Sequence, residues 1–197
     1  YEMYEAGCLT CRKKEINNGK MVFTLAMGTR RLYDFMHDNP LVLGCPVDYT
    51  NDPRVICQNS RVVSVNNFLE VDLTGQVCSE SAGPRQITGT GGQLDFVQGA
   101  FDSPGGKSFL CMPSTYTTKD GRVVSRIAHQ LTPGAIVTVP RPLAHYIVTE
   151  FGKTCLKGKS TWERAESLIS IAHPGFRDQL IREAETLRIW RPSNKIV

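Results

Sequence analysis

Apolar blocks alternate along this chain with breaks rich in glycine, proline and asparagine, and the spacing inside each block predicts its secondary structure. The first half predicts a strand over 20–27, then a helix that is capped by Thr29 and stopped at Asn39-Pro40. The apolar segment 61–73 predicts two strands, or one strand bent at Asn66-Asn67. Helix and strand therefore alternate through this half.

Strands cluster in the second half. A turn at Lys119-Asp120-Gly121 is expected to join two of them. The predicted strands cover 107–112, 123–128, 135–139 and 144–149. Alternating elements followed by clustered strands favour an α/β fold whose mixed sheet is flanked by helices.

The C-terminal part predicts two amphipathic helices. Ser160 and Glu163 form a capping box for the first, and the second follows His173-Pro174. We expect His173 to cap or bridge these helices rather than to act in catalysis. The segment 188–194 lacks periodicity and is predicted to lie over a neighbour. At the other end, Tyr1–Gly7 is typical of the last turns of a helix closing on glycine, so we expect the chain to begin inside a longer protein.

Composition and charge restrict the class of protein. The 197 residues are 41% hydrophobic and 21% charged with a net charge of +4, as in an ordinary globular domain without a nucleic-acid footprint. The sequence shows neither an apolar run long enough to span a bilayer nor a secretion signal, which predicts no membrane association. The seven cysteines are irregularly spaced, and we expect small buried hydrophobes in a reducing cytoplasm. Cys8-x-x-Cys11 has no second pair and the four histidines are dispersed, so no metal site is predicted.

The most informative segment is Gly89-Thr90-Gly91-Gly92, which precedes a predicted helix over about 93–100. Glycines let the backbone take positive φ and approach a ligand closely, and a helix N-terminus favours an anion. The segment matches neither the dinucleotide fingerprint nor the phosphate loop of nucleotide-binding proteins. An anion-binding loop and a simple tight turn both remain open on these grounds.

Carboxylates supply the candidate chemistry. Glu150 ends a predicted strand, where an α/β sheet opens into its ligand crevice, although pairing with a nearby lysine explains it equally well. Glu80, Asp95 and Asp72 are further candidates, with Asp95 expected to serve the first turn of its helix. An anion loop beside carboxylates suits acyl or phosphoryl binding without distinguishing the two.

A series of ordered motifs resembles the C-terminal half of the acetyl-CoA hydrolase/transferase family, and within it the 4-hydroxybutyrate and butyrate:acetate CoA-transferases. The likeness runs from about Tyr1 to Trp190. The segments that carry it are 51–53, 71–77, 89–96, 105–108, 148–152, 156–160, 163–165 and 171–177.

The resemblance implies that residues 1–197 form a three-layer CoA-transferase-like α/β domain, one of two similar halves with the active site between them. It implies coenzyme A as the acyl carrier, a short-chain acyl-CoA and a carboxylate such as acetate as substrates, and no metal. The implied partners are the N-terminal half of the same protein and, in a homo-oligomer, further copies of the whole protein. The implied reaction is ping-pong, through an acyl-glutamyl anhydride and a glutamyl-CoA thioester.

Residue roles follow from the same likeness. It assigns Gly91 and Gly92 to oxyanion binding, Glu150 to the neighbourhood of the carboxylate substrate, and CoA contacts to Leu69, Gly89, Gly91, Gly92 and Lys107. The family's nucleophilic glutamate lies in a motif upstream of the segment that matches Tyr1–Gly7, and this sequence lacks that motif. We therefore expect the fragment alone to fold but not to turn over. Hydrolysis of acetyl-CoA and non-catalytic CoA binding are the alternative functions.

Overall fold

The structure is a computed structural model and describes residues 1–189. Its helices are α1 Glu2–Glu5, α2 Arg30–Met36, α3 Val47–Thr50, α4 Pro53–Ile56, α5 Gln93–Asp102, α6 Thr161–Ser170 and α7 Pro174–Thr186. Its strands are β1 Met21–Phe23, β2 Val42–Gly44, β3 Val63–Asn67, β4 Glu70–Asp72, β5 Val77–Cys78, β6 Ser81–Ala82, β7 Arg85–Gln86, β8 Lys107–Cys111, β9 Thr115–Thr117, β10 Val123–Ser125, β11 Ile127–Ala128, β12 Tyr146–Thr149 and β13 Gly152–Cys155.

A four-stranded mixed sheet with the order β13-β12-β8-β3 organises the domain. β3, β8 and β12 run parallel, while β13 returns antiparallel to β12. Parallel strands need a crossover, and α5 lies in the connection between β3 and β8. The predicted α/β class with a mixed sheet is confirmed, and the carboxyl ends of three strands meet at one edge.

The hydrophobic core lies on one face of this sheet. Leu110 and Ile147 are fully buried there, in one cluster with Val97 of α5 and Leu168 of α6. Burying each such side chain contributes about 1.5–3 kcal/mol. The opposite face is more open, since Val65 of β3 is 66% exposed.

The segment 61–73 forms two strands that belong to different sheets. β3 joins the four-stranded sheet, whereas β4 pairs parallel with β11 and antiparallel with β5. Phe68, 4% exposed, lies in the core between them. The prediction of two strands over this segment is confirmed.

Three strand predictions need correction. Only β1 forms within 20–27, because three residues find a partner in β2 while Leu25 and Met27 remain 71% and 86% exposed. The turn at 119–121 joins β9 to β10, whereas β8 pairs with β3 and β12. The segment 135–139 makes only a single bridge, from Val139 to Val77. Each of these three differences depends on which backbone segments pair with one another, and a local residue pattern does not specify that pairing.

The predicted helix caps are present, whereas the prediction for the cysteines needs correction. The capping box at Ser160 is present, and His173 Nδ1 accepts a hydrogen bond from the Gly175 amide (3.1 Å), so His173 caps α7 as predicted. Among the cysteines Cys78 is buried, Cys8 is exposed and the other five are partly buried, which corrects the expectation of small buried hydrophobes. The predicted tail segment lies from Trp190 onward outside the described residues. Over residues 1–189, none of the helices has the length and apolarity needed to cross a bilayer.

Candidate functional site

The glycine loop lies between β7 and the first turn of α5, as predicted. Gly91 has φ +57°, a left-handed conformation that side chains with a Cβ rarely adopt. Gly92 is the N-cap of α5, and a Cβ there would lie 2.0 Å from Asn51 Nδ2. Asn51 Nδ2 also donates to Asp95 Oδ2 at 3.3 Å. The two glycines are therefore required for different reasons, one for backbone conformation and the other for close packing.

A cavity of about 490 Å³ opens at this loop. Its lining residues are Asn66, Ser79, Glu80, Thr88, Gly89, Thr90, Gly91, Gly92 and Gln93. The backbone carbonyl of Glu80 holds the start of the loop by accepting the N–H groups of Ile87 (2.8 Å) and Thr88 (3.2 Å). Within residues 1–189 the amides of Gly91 and Gly92 donate to no other group. The loop thus presents unpaired donors beside a helix N-terminus, an arrangement that can hold an oxyanion.

Glu150 lies directly after β12, at the carboxyl edge of the sheet. Its carboxylate accepts hydrogen bonds from the Ser114 backbone N–H (2.7 Å) and Oγ–H (2.6 Å). Partial burial acts to raise the pKa of Glu150, but the Ser114 hydrogen bonds and nearby His173 outweigh it, so the pKa is lowered. Glu150 is therefore an oriented, ionised acceptor. It does not line the glycine-loop cavity, so the structure places these two predicted features at separate positions.

Leu69 and Lys107 are the other assigned CoA contacts. The Leu69 amide donates to the Cys78 carbonyl (2.9 Å), and its carbonyl accepts from Arg126 Nη1 (3.0 Å). Lys107 is the first residue of β8 and follows the C-terminal end of α5, whose ten residues rise about 15 Å from Gly92. Neither residue lines the cavity. Their contacts with CoA stay predictions.

The remaining carboxylate candidates have distinct positions. Asp72, 2% exposed, accepts four hydrogen bonds from Thr74 and Gln76 and so shapes the turn between β4 and β5. Asp95 accepts from Asn51 in the first turn of α5. Glu80, 4% exposed, lines the loop cavity. Of the three, Glu80 is the one that lines the glycine-loop cavity.

Sequence reasoning missed Asn66, Ser79 and Gln93 as lining residues. Asn66 comes from β3 and Ser79 follows β5, in a different sheet, while Gln93 begins α5. Only the fold brings these segments together, although the position of Gln93 next to the glycines was a usable signal. In the described part of the chain, no group of three histidine, cysteine or carboxylate side chains could hold a metal ion.

Comparison with known proteins identifies the family. The profile of the acetyl-CoA hydrolase/transferase C-terminal domain matches residues 28–184. The chain belongs to this family. It is 57% identical over 194 residues to a probable butyrate:acetyl-CoA coenzyme A-transferase from Syntrophomonas wolfei, covering 98% of this chain and 43% of that protein.

Two further proteins extend the comparison. A 4-hydroxybutyrate coenzyme A transferase from Clostridium kluyveri is 50% identical over 182 residues, covering 92% of this chain and 42% of the relative. The crystal structure of RipA from Yersinia pestis superposes with a TM-score of 0.88 at 44% identity, over 96% of this chain and 42% of that one. The chain thus spans about two fifths of the length of these relatives.

Proposed function

We propose that this chain is the C-terminal domain of a CoA-transferase that moves CoA between a short-chain acyl-CoA, of butyryl or 4-hydroxybutyryl type, and a carboxylate such as acetate. The observation that carries the proposal is that, in a chain of this family, the amides of Gly91 and Gly92 donate to no group within residues 1–189. The names of the relatives support the substrate class.

The proposed mechanism is ping-pong and uses a glutamate that lies outside this chain. That carboxylate attacks the thioester carbonyl and expels the CoA thiolate, which then returns to the acyl-glutamyl anhydride and releases the first carboxylate. The second carboxylate attacks the resulting glutamyl-CoA thioester, and the sequence then runs in reverse. Each attack turns a carbonyl oxygen into an oxyanion, and preset amides at Gly91 and Gly92 would each contribute about 3 kcal/mol to its stabilisation.

Glu150 has a supporting task in this proposal. Its carboxylate is held by Ser114 at the carboxyl edge of the sheet, where ligands of open α/β sheets bind. We assign it to the neighbourhood of the carboxylate substrate, as the resemblance implies. Leu69, Gly89 and Lys107 remain proposed CoA contacts. In the assembled enzyme we expect the N-terminal half to complete the cleft, and further copies to form a homo-oligomer.

Mass spectrometry of the full-length protein tests the proposal. The protein is incubated with butyryl-CoA, treated with borohydride to reduce any glutamyl thioester, and mapped by peptides. We expect one reduced glutamate in the half that precedes this chain. A reduced Glu150 would mean that the nucleophile is assigned wrongly, and CoA binding without a modified glutamate would favour a non-catalytic CoA-binding domain.

Hydrolysis is the second candidate function, since the name of the family covers both reactions. In a hydrolase, water replaces the second carboxylate in resolving the thioester. Thiol release from butyryl-CoA with and without acetate separates the two. A transferase sustains no release of free thiol with or without acetate, because CoA passes to acetate as acetyl-CoA, whereas a hydrolase releases CoA at the same rate in both conditions.

A further inference from the structure

The glycine-loop cavity contains buried polar atoms that have no hydrogen-bond partner within residues 1–189. Within residues 1–189, Ser79 Oγ, Glu80 Oε2 and Gln93 Nε2 are buried and have no hydrogen-bond partner, and all three residues line the cavity. Burial without a partner is unfavourable for any polar atom and most unfavourable for a carboxylate oxygen. These three atoms are therefore available to bind a group from outside the described chain.

Of these residues, Glu80 most restricts which chemical group can bind in the cavity. Its side chain is 4% exposed, and none of the ion pairs formed within residues 1–189 includes it. Its backbone carbonyl holds the base of the loop through Ile87 and Thr88, so the position of Glu80 is tied to that of the glycines. A carboxylate at this point accepts hydrogen bonds and has none to donate.

The complementary ligand group must both donate and accept. Glu80 Oε2 accepts a hydrogen, Gln93 Nε2 donates one, and the Ser79 hydroxyl can do either. A free carboxylate has no hydrogen to donate, and an alkyl chain has neither function. A secondary amide offers an N–H and a C=O in one rigid plane, and it matches this set of atoms.

We propose that Glu80 and Gln93 bind the pantetheine amide nearest the sulfur of CoA, with Glu80 accepting its N–H and Gln93 donating to its carbonyl. This inference rests on the proposed function, because it requires a CoA thioester in the cavity. In such a thioester only two methylene groups separate the sulfur from this amide. When Gly91 and Gly92 hold the thioester oxygen, the amide therefore reaches other walls of the same cavity of about 490 Å³.

The proposal gives the residues of one cavity two different roles. The loop amides act on the reacting carbonyl, while Glu80 and Gln93 position the invariant arm of the substrate beside it. Binding energy from a non-reacting group is thereby used to orient the reacting one. Recognition depends on the carrier, so it is independent of the acyl chain.

Paired truncated substrates test the positioning role in the full-length protein. Butyryl-N-acetylcysteamine keeps the amide, whereas S-propyl butanethioate lacks it, and the measured quantity is the ratio of their kcat/KM values. We expect Glu80→Leu to lower this ratio on the order of 10- to 100-fold, because a hydrogen bond to a charged acceptor is lost. Glu80→Gln, whose carbonyl oxygen still accepts, should lower the ratio less.

Ser108→Ala is the matched control. Ser108 Oγ is also buried without a partner within residues 1–189, but it does not line the cavity, so the ratio should stay unchanged. A Glu80→Leu protein that slows equally on both thioesters would show a purely structural role and overturn the inference. Calorimetry with free CoA gives a readout that needs no turnover, and unchanged affinity in Glu80→Leu would overturn it as well. Failure of the proposed function looks different, since the wild-type protein would then bind CoA but transfer none.

Discussion

Gly92 and Asn51 form a contact whose energetic consequences can be worked out from the structure. In Gly92→Ala the new Cβ would lie 2.0 Å from Asn51 Nδ2, far inside van der Waals contact. The Asn51 amide must then rotate away from Asp95 (3.3 Å) and from the Thr50 hydroxyl (3.1 Å). Two hydrogen bonds at about 0.5–1.5 kcal/mol each predict a loss of about 2 kcal/mol in the free energy of unfolding.

A double-mutant cycle isolates this contact. Asn51→Ala alone loses the same two hydrogen bonds and should also cost about 2 kcal/mol. In the double variant Gly92→Ala/Asn51→Ala the clash is gone, so the combined cost should stay near that of Asn51→Ala. We therefore expect a coupling free energy of about 2 kcal/mol.

Urea unfolding of the four proteins measures the coupling. Gly91→Ala serves as the comparison, because its Cβ would meet nothing within 4 Å and its cost of about 1–2 kcal/mol comes from φ +57° alone. That cost should add to the cost of Asn51→Ala. If Gly92→Ala and Asn51→Ala are additive within about 0.5 kcal/mol, the packing explanation of Gly92 is refuted.

Three further predictions concern carboxylates. Ser114→Ala should raise the pKa of Glu150, which an NMR titration measures. The lowered pKa of Glu150 stabilises the fold at neutral pH, and this contribution is lost as the pH falls through the folded-state pKa, so it should be smaller in the variant. An unchanged titration would contradict this prediction. Burial raises the pKa of half-buried Glu70 despite hydrogen bonds from Thr132, so stability is lost as the pH rises through that pKa. Glu70→Gln should therefore gain up to about 1 kcal/mol at pH 7 in urea unfolding, a modest value because the side chain is partly exposed. The gain should vanish at pH 4, where Glu70 is protonated, and an equal difference between the two proteins at pH 4 and pH 7 would count against this prediction. Glu163→Ala should cost about 1 kcal/mol through the cap of α6, with Glu163→Gln closer to wild type, and identical melting of all three proteins would exclude a capping contribution.

Short sequence signals correctly predicted the elements that are stabilised by contacts between residues close together in the sequence. The capping box at Ser160, the His173 cap and the start of α5 after Gly92 each depend on contacts within a few residues, and all three are present. Strands were predicted less well, because a strand forms only where a distant partner supplies its hydrogen bonds. The segment 135–139 has the composition of a strand but finds only one bridge.

The sequence by itself determined the α/β class, the glycine loop and the likeness to a CoA-transferase domain, since these depend on ordered motifs and on local conformational preference. Tertiary structure decided which side chains surround the loop. Asn66, Glu80 and Gln93 come from three segments, and only the crossover from β3 through α5 brings them around one cavity. Tertiary structure likewise separated Lys107 from that cavity, because α5 runs along the sheet and places its two ends at opposite edges. Glu150 follows β12, which β8 separates from β3. A residue's type states what chemistry it can perform, whereas packing of distant segments decides where that chemistry occurs.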